Sequence, residues 1–284
     1  MTTPFPVGRH RMNYAAYNAV PAIRISDLLH MRTSPKHYRH HRANKSADTA
    51  AMALGRATHT AVYEPDLFPI EYAVWDGAPR NTKAGKDEWA IFQSANAGKT
   101  ILDAEDYAHC LRLRDAVRED PVARSFLDEP GAEREVTYLW RDGNTGLPCK
   151  ARIDWMCSAI VDLKTTRHST PSAFGRQAAS LSYYVRASFY YAAVLAVTGA
   201  RIMPAFIAVE KGAPHDVVVY RMTGDQLRAG ADVYAKLLER VAECQRVDRW
   251  PGVGGGEVRE LFLPDWVYGG ADNSLLVDGE EQSI

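Results

Sequence analysis

The stretch CKARIDWMCSAIVDLKTT, Cys149 to Thr166, decides the reading of this chain. It divides into a run ending near Asp154, a turn, and a second run that carries Asp162 and Lys164. Strand side chains alternate between faces, so Asp162 and Lys164 share one face while Leu163 turns to the opposite, buried one. Ile160, Val161 and Leu163 make the second run largely apolar. A carboxylate and an ammonium inside such a strand are costly unless they serve a purpose or pair with each other. Upstream, Glu135 opens the alternating run EVTYLW, which ends at the turn-rich RDGNTG and reads as the preceding strand of a hairpin. Three adjacent antiparallel strands then bring Glu135, Asp154 and Asp162 together.

These residue types suit one chemistry. A hard divalent cation such as Mg²⁺, for which Mn²⁺ can substitute, takes one or two carboxylates, with waters and phosphate oxygens completing its shell. Asp154 and Asp162 supply the carboxylates. Lys164, beside them, can orient the attacking water and help neutralise charge on a phosphodiester under attack, while the cation acts as Lewis acid. A metal-dependent phosphodiesterase is therefore the first expectation.

Working outward, ISDLLHMRTSPKHY (Ile25 to Tyr38) reads as short helices with a Ser-Pro turn. LGRATHTAVYEP (Leu54 to Pro65) reads as a helix on which Gly55 and His59, four apart, share a face. The missing side chain at Gly55 leaves room for a metal or phosphate beside the imidazole, itself a common ligand. YYVRASFY supplies Tyr183, Arg186 and Tyr190 at i, i+3 and i+7, again one helical face. Tyr184 and Tyr191 read as packing residues, and His30, His37, His40 and His41 as surface.

The order of these motifs resembles the PD-(D/E)XK nuclease superfamily, in particular its exonuclease VIII (RecE-like) branch, often encoded by phages and prophages. The resemblance covers most of the chain. It implies an α/β fold with a central mixed β-sheet flanked by helices, here with an N-terminal helical extension. It implies a double-strand DNA exonuclease working 5′ to 3′, which leaves single-stranded tails for an annealing protein in recombination. Asp154, Asp162, Lys164 and Glu135 would be catalytic. The metal would be held by Asp154, Asp162, His59 and the backbone carbonyl of Leu163. Tyr190, Arg186 and Tyr183 would contact DNA, and relatives form rings that encircle DNA. One departure stands out: the family's usual Gln is Arg186 here. Arg can still reach a phosphate, even bidentately, but any role needing an amide acceptor is lost. Two other readings stay open, a structure-specific or restriction-type endonuclease with the same metal site, and a catalytically weakened DNA-binding protein on the same fold.

At 284 residues and 46% hydrophobic content, the chain can bury a substantial core as one structural domain. We divide it into a basic extension (1–48), a nuclease core (49–263) and an acidic tail (264–284). The formal net charge of −1 carries no global nucleic-acid signature. Its distribution is more telling: Arg9 to Lys45 has Asp27 as its sole acid, and the tail from Asp265 carries acidic charge only. The four cysteines, Cys110, Cys149, Cys157 and Cys244, form no CxxC pair, so reduced thiols and no iron–sulfur cluster are expected. No Walker motif predicts ATP use. Neither a signal peptide nor an apolar run of membrane-spanning length is visible, which predicts no membrane association and a cytoplasmic protein, in a bacterial host cell if phage-encoded.

Periodicity and caps predict further elements: helices at about Thr49–Tyr63, Ala104–Glu119, Pro121–Leu127 and Thr223–Val247, and one long helix from Ser172 to Val197. Strands are expected at Glu135–Trp140, Cys149–Met156, Ala159–Thr165, Ile202–Val209 and Asp216–Tyr220. Pro79 to Lys86, rich in turn formers, reads as a loop.

Overall fold

The structure, a computed structural model, describes residues 5–44, 49–264 and 267, and the backbone of 274–277 and 280–283. Along the chain the strands are β1 (Gly8–His10), β2 (Tyr72–Trp75), β3 (Thr100–Asp103), β4 (Glu133–Arg141), β5 (Pro148–Met156), β6 (Ile160–Thr166), β7 (Pro204–Glu210), β8 (Val217–Arg221), β9 (Ser274–Val277) and β10 (Glu280–Ser283). The helices are α1 (Tyr14–Ala19), α2 (Ile25–Leu28), α3 (Pro35–Ala43), α4 (Ala50–Tyr63), α5 (Phe68–Glu71), α6 (Lys83–Ala95), α7 (Ala104–Glu119), α8 (Pro121–Leu127), α9 (Pro171–Ser180), α10 (Tyr183–Thr198) and α11 (Gly224–Val247). Lys45 lies outside the described residues. So does the acidic tail, apart from Pro264, Val267 and the hairpin in which β9 pairs with β10.

The central sheet is mixed, with strand order β1-β4-β5-β6-β7-β8. Antiparallel pairing runs from β1 to β6, β6 and β7 are parallel, and β8 returns antiparallel. A parallel pair needs a crossover, and α9 with α10 provides it. The sheet is buried on both faces. On one, Val136, Tyr138, Ala151 and Ile153 pack under α10 and α11 and the N-terminal residues Ile23 to Tyr38. On the other, Val161, Leu163, Ile207 and Val209 pack under α4, α7 and α8. The result is a three-layer α/β core in which the N-terminal segment completes one layer and β1 one edge.

Gly230 sets how closely α10 and α11 approach. A Cβ there would meet the Ser188 hydroxyl oxygen at 2.2 Å and the Tyr184 carbonyl at 2.6 Å, so only glycine permits this crossing. Thr223 caps α11 through a reciprocal pair with Gln226.

Several expectations need correction. The predicted loop at Pro79–Lys86 contains the start of α6, because Thr82 caps it by accepting from the Gly85 amide at 3.0 Å. The predicted single helix Ser172–Val197 is two, broken at Leu181–Ser182, where Ser182 has φ 58° and ψ 35°. The short strands β1, β2 and β3 had no expectation at all. His30 and His41 are a half-buried stacked pair with centroids 3.8 Å apart rather than free surface, and His41 lies 3.6 Å from Asp27.

Candidate active site

The site forms where β5 and β6 part. Their ladder pairs Met156 with Ile160 and Trp155 with Val161, then stops. The next facing positions in that register are Asp154 and Asp162. Like charges directly opposite each other disfavour pairing. Beyond this point α4 reaches the gap from one helical layer and α10 from the other.

His59 on α4 spans the gap. Its Nε2 lies 2.9 Å from the Leu163 carbonyl oxygen and its Nδ1 3.4 Å from Asp154 Oδ2. Both partners only accept, so both ring nitrogens donate, which is the hydrogen-bonding pattern of an imidazolium. Burial lowers the His59 pKa, but the hydrogen bond and charge of Asp154 outweigh it, leaving the value above the usual 6.5. Asp154 answers in kind: burial would raise its pKa, yet His59, Lys164 and Arg152 hold it below 3.8. Lys164 Nζ donates to Asp162 Oδ1 at 2.5 Å, and both side chains are largely covered.

Ligand atoms of His59, Asp154 and Asp162 all lie within 4.8 Å of one another. Two carboxylates and an imidazole, with the Leu163 carbonyl alongside, are hard donors that suit a divalent cation of the Mg²⁺ or Mn²⁺ kind. An orphaned atom agrees with this. The Tyr63 hydroxyl is buried beside Leu163 and both carboxylates without a hydrogen bond of normal geometry, where the water of a hydrated cation would satisfy it. Gly55 faces open space, with nothing within 4 Å of a would-be Cβ.

The remaining predicted residues sit around this centre. Glu135 is exposed on the cleft wall with His59 and Asp154, but its carboxylate is bonded to Arg152 and is not part of the three-residue cluster. Its φ of 52° is unusual for a side chain inside a strand. Arg186 and Tyr190 line a notch of about 180 Å³ beside Asp154, together with Arg24, Ser26 and Arg152. Burial, then the charges of Asp154 and Asp162, push the Tyr190 pKa up, so its hydroxyl keeps its proton. Tyr183 sits apart from this notch, under Lys164. Tyr184 and Tyr191 pack against the core. Much of the basic N-terminal charge is paired: Arg9 and Arg11 with Glu133, Arg24 with Asp27.

Sequence reading assigned no role to Arg24, Arg152 or Gln177. For Arg152 the clue was present, since it lies two before Asp154 on the same strand and so leans toward the same side. Gln177 offered none, because its partners are distant in sequence.

This sheet order, with paired carboxylates and a lysine on the middle strands, defines a PD-(D/E)XK-type α/β protein. Residues 25–258 match the model of a PDDEXK-like domain of unknown function (DUF3799), and the chain belongs to that family. Among solved structures, it is similar to a provisionally assigned exonuclease from Eubacterium rectale, with a TM-score of 0.61 and 10% identity over 92% of this chain and 99% of that one. At that identity the likeness speaks for the fold. No curated protein matches the chain. No described helix is long and apolar enough to cross a membrane.

Proposed function

We propose that the protein is a divalent-metal-dependent DNA nuclease, an exonuclease that degrades double-stranded DNA from 5′ to 3′ and leaves single-stranded tails for recombination. The observation that carries this reading is the convergence of His59, Asp154 and Asp162 within 4.8 Å, with Lys164 bonded to Asp162, where the β5–β6 ladder ends. Asp154, Asp162 and the Leu163 carbonyl would hold Mg²⁺, with His59 in or beside the shell and Mn²⁺ an acceptable replacement. A cation there supplies Lewis-acid polarisation of a phosphoryl oxygen and lowers the pKa of a water.

The chain's own groups do the rest. Lys164 directs ammonium protons at the water and at charge developing on phosphate. Arg186, with Tyr190, takes phosphate oxygens in the notch beside Asp154, where a guanidinium binds them bidentately. Arg24 and Arg152 line the same wall, each in an ion pair, with Asp27 and with Glu135. Glu135, bonded to Arg152, fixes that arginine rather than the cation. Double-strand ends are the proposed substrate, a single-strand annealing protein the proposed partner, and a ring around DNA the proposed assembly.

Digestion of end-labelled linear and closed circular duplexes, with Mg²⁺ and with EDTA, tests the reading. Stepwise loss from linear ends only, abolished by EDTA, is expected. Cutting of the closed circle supports the endonuclease reading instead, and metal-independent or absent cleavage with intact DNA binding supports a binding protein.

A further inference from the structure

Tyr183 was expected at the DNA, yet its ring lies under the ammonium of Lys164, 5.0 Å from Nζ to the centroid. That separation is within cation–π range. The ring is held from several sides. Phe174 and Phe206 flank it at 6.2 and 6.0 Å, and its hydroxyl accepts from Gln177 Nε2 at 3.3 Å. The Gln177 amide oxygen in turn accepts from the buried Thr166 hydroxyl at 2.8 Å. Thr166 ends β6, the strand that carries Asp162 and Lys164. A closed circuit results: strand, Thr166, Gln177, Tyr183, Lys164, and back to the strand.

The helix break makes this circuit possible. In an unbroken helix, residues 177 and 183 would point about 120° apart, at 100° per residue. Ser182, in the left-handed conformation and buried, ends α9 and starts α10 in a new direction, and its hydroxyl accepts from Arg32 Nη1 at 2.5 Å. Gln177 and Tyr183 thereby converge on one spot.

On this basis, and resting on the nuclease reading above, we infer that Tyr183 is a positioning residue for Lys164, with Gln177 as the brace that fixes its ring. The need for such a seat follows from the lysine's flexible stem. Asp162 is both its hydrogen-bond partner and a proposed cation ligand, so the carboxylate's hold on the ammonium slackens when it engages a cation. A four-carbon side chain regains its rotamers unless something else holds it. The aromatic face is a partner that does not compete for the cation.

The test compares Tyr183→Phe with Tyr183→Leu. Tyr183→Leu should slow single-turnover cleavage at saturating DNA roughly tenfold, while Tyr183→Phe, which keeps the ring, stays within roughly threefold of wild type. DNA affinity measured in EDTA should be unchanged in both. A second readout needs no metal: in an Asp162→Asn background, where the carboxylate's hold on the ammonium is already slackened, acetylation of the Lys164 amine by an N-hydroxysuccinimide ester in EDTA, followed by peptide mass spectrometry. It should rise several-fold in Tyr183→Leu and not in Tyr183→Phe. Loss of DNA affinity at an unchanged saturated rate would make Tyr183 a DNA contact and overturn the inference. Equal damage from Phe and Leu, or unchanged Lys164 labelling, would overturn it as well. If Tyr183→Leu fails to fold, Tyr183→Met, which removes the aromatic face at similar volume, takes its place with the same two expectations, and no change in either refutes the seat; Gln177→Leu, which loses the same hydrogen bond as Tyr183→Phe, should match that variant in both readouts. Lys164→Ala separates the two levels: wild-type cleavage by that variant would remove the nuclease assignment of the lysine, whereas the labelling experiment judges the seat by itself.

Discussion

Asp162→Asn keeps the shape of the side chain and removes one negative charge from the centre of the site. One ligand atom from each of the three residues lies within 4.8 Å of the others, so a cation seated among them is closer than that to the Asp162 oxygen. Two unit charges about 4 Å apart attract by about 4 kcal/mol at an effective dielectric constant of about 20, and a dication doubles this. The asparagine oxygen keeps part of the attraction and is less costly to desolvate. A net loss of about 4 kcal/mol remains, or about a thousandfold in Kd. The metal-free protein should suffer less. Lys164 loses its partner at 2.5 Å, but those side chains are 20% and 12% exposed, and water with the Tyr183 ring offers other company. The expected destabilisation is about 1–2 kcal/mol, below the cost of stripping one member from a fully buried pair. Titration calorimetry with Mn²⁺, urea unfolding in EDTA and cleavage of linear duplex make up the assay. Metal binding within tenfold of wild type refutes the assignment of Asp162 as a ligand, whatever happens to activity.

Lys164→Ala should nearly abolish turnover yet bind Mg²⁺ or Mn²⁺ as tightly as wild type or slightly better, because a nearby positive charge is gone; calorimetry that shows lost binding with early melting would mark it as a structural ion-pair partner. Arg186→Gln should retain cleavage while the salt slope of DNA binding falls by about one, and a faster cleavage rate would mean instead that the arginine has displaced a catalytic amide. His59 links metal and proton. Its pKa is raised, so at neutral pH metal binding should release protons, seen as a binding enthalpy that varies with buffer ionisation enthalpy. The same pair sets a pH window in the metal-free protein. A raised His59 stabilises fully below 6.5 and loses that contribution as pH rises through its folded value, whereas a depressed Asp154 stabilises above 3.8 and loses it as pH falls through its own. The destabilisation caused by His59→Gln should therefore be larger at pH 5 than at pH 8, and equal values would show that the two groups are not linked.

What the sequence revealed, and what it hid, follows the range of the interactions involved. The helix Ala104–Glu119 is bounded by its own residues, with Asp103 accepting from the Asp106 amide at 2.7 Å, so its limits could be read locally. That Asp154, Asp162 and Lys164 come together was legible because strand alternation and the hairpin register fix it locally. The break at Ser182 was not, since SLSYY holds neither Gly nor Pro and the bond that stabilises the turn comes from Arg32, 150 residues away. Helical periodicity grouped Tyr183 with Arg186 and Tyr190, but as the first residue of α10 its ring meets Phe174, Phe206 and Lys164 instead, contacts that are distant in sequence or lie across the break. Strands β2 and β3 have four residues each and pair in parallel with one another, too short for alternation to declare itself.

Several local rules fail at one place, and that coincidence is itself evidence about the site. A charged pair sits inside a strand whose apolar residues are all buried, a ladder stops after two pairs, and Glu135, opposite Asp154 in the β4–β5 register, adopts a left-handed φ of 52°. A non-glycine residue in that region costs on the order of 1 kcal/mol or more. Each departure has the same electrostatic root. Glu135, Asp154 and Asp162 occupy facing positions on three adjacent strands, so a regular sheet would press three carboxylates into one row. The chain relieves this by parting β5 from β6, by turning Glu135 out to Arg152, and by bringing Lys164 and His59 to the two remaining acids. Nonpolar residues at 135, 154 and 162 would let the sheet close with none of these costs. On the metal-dependent reading proposed above, a cation seated among the acids would offset their repulsion, and the opening between β5 and β6 would be the part of the fold where stability is given up for function.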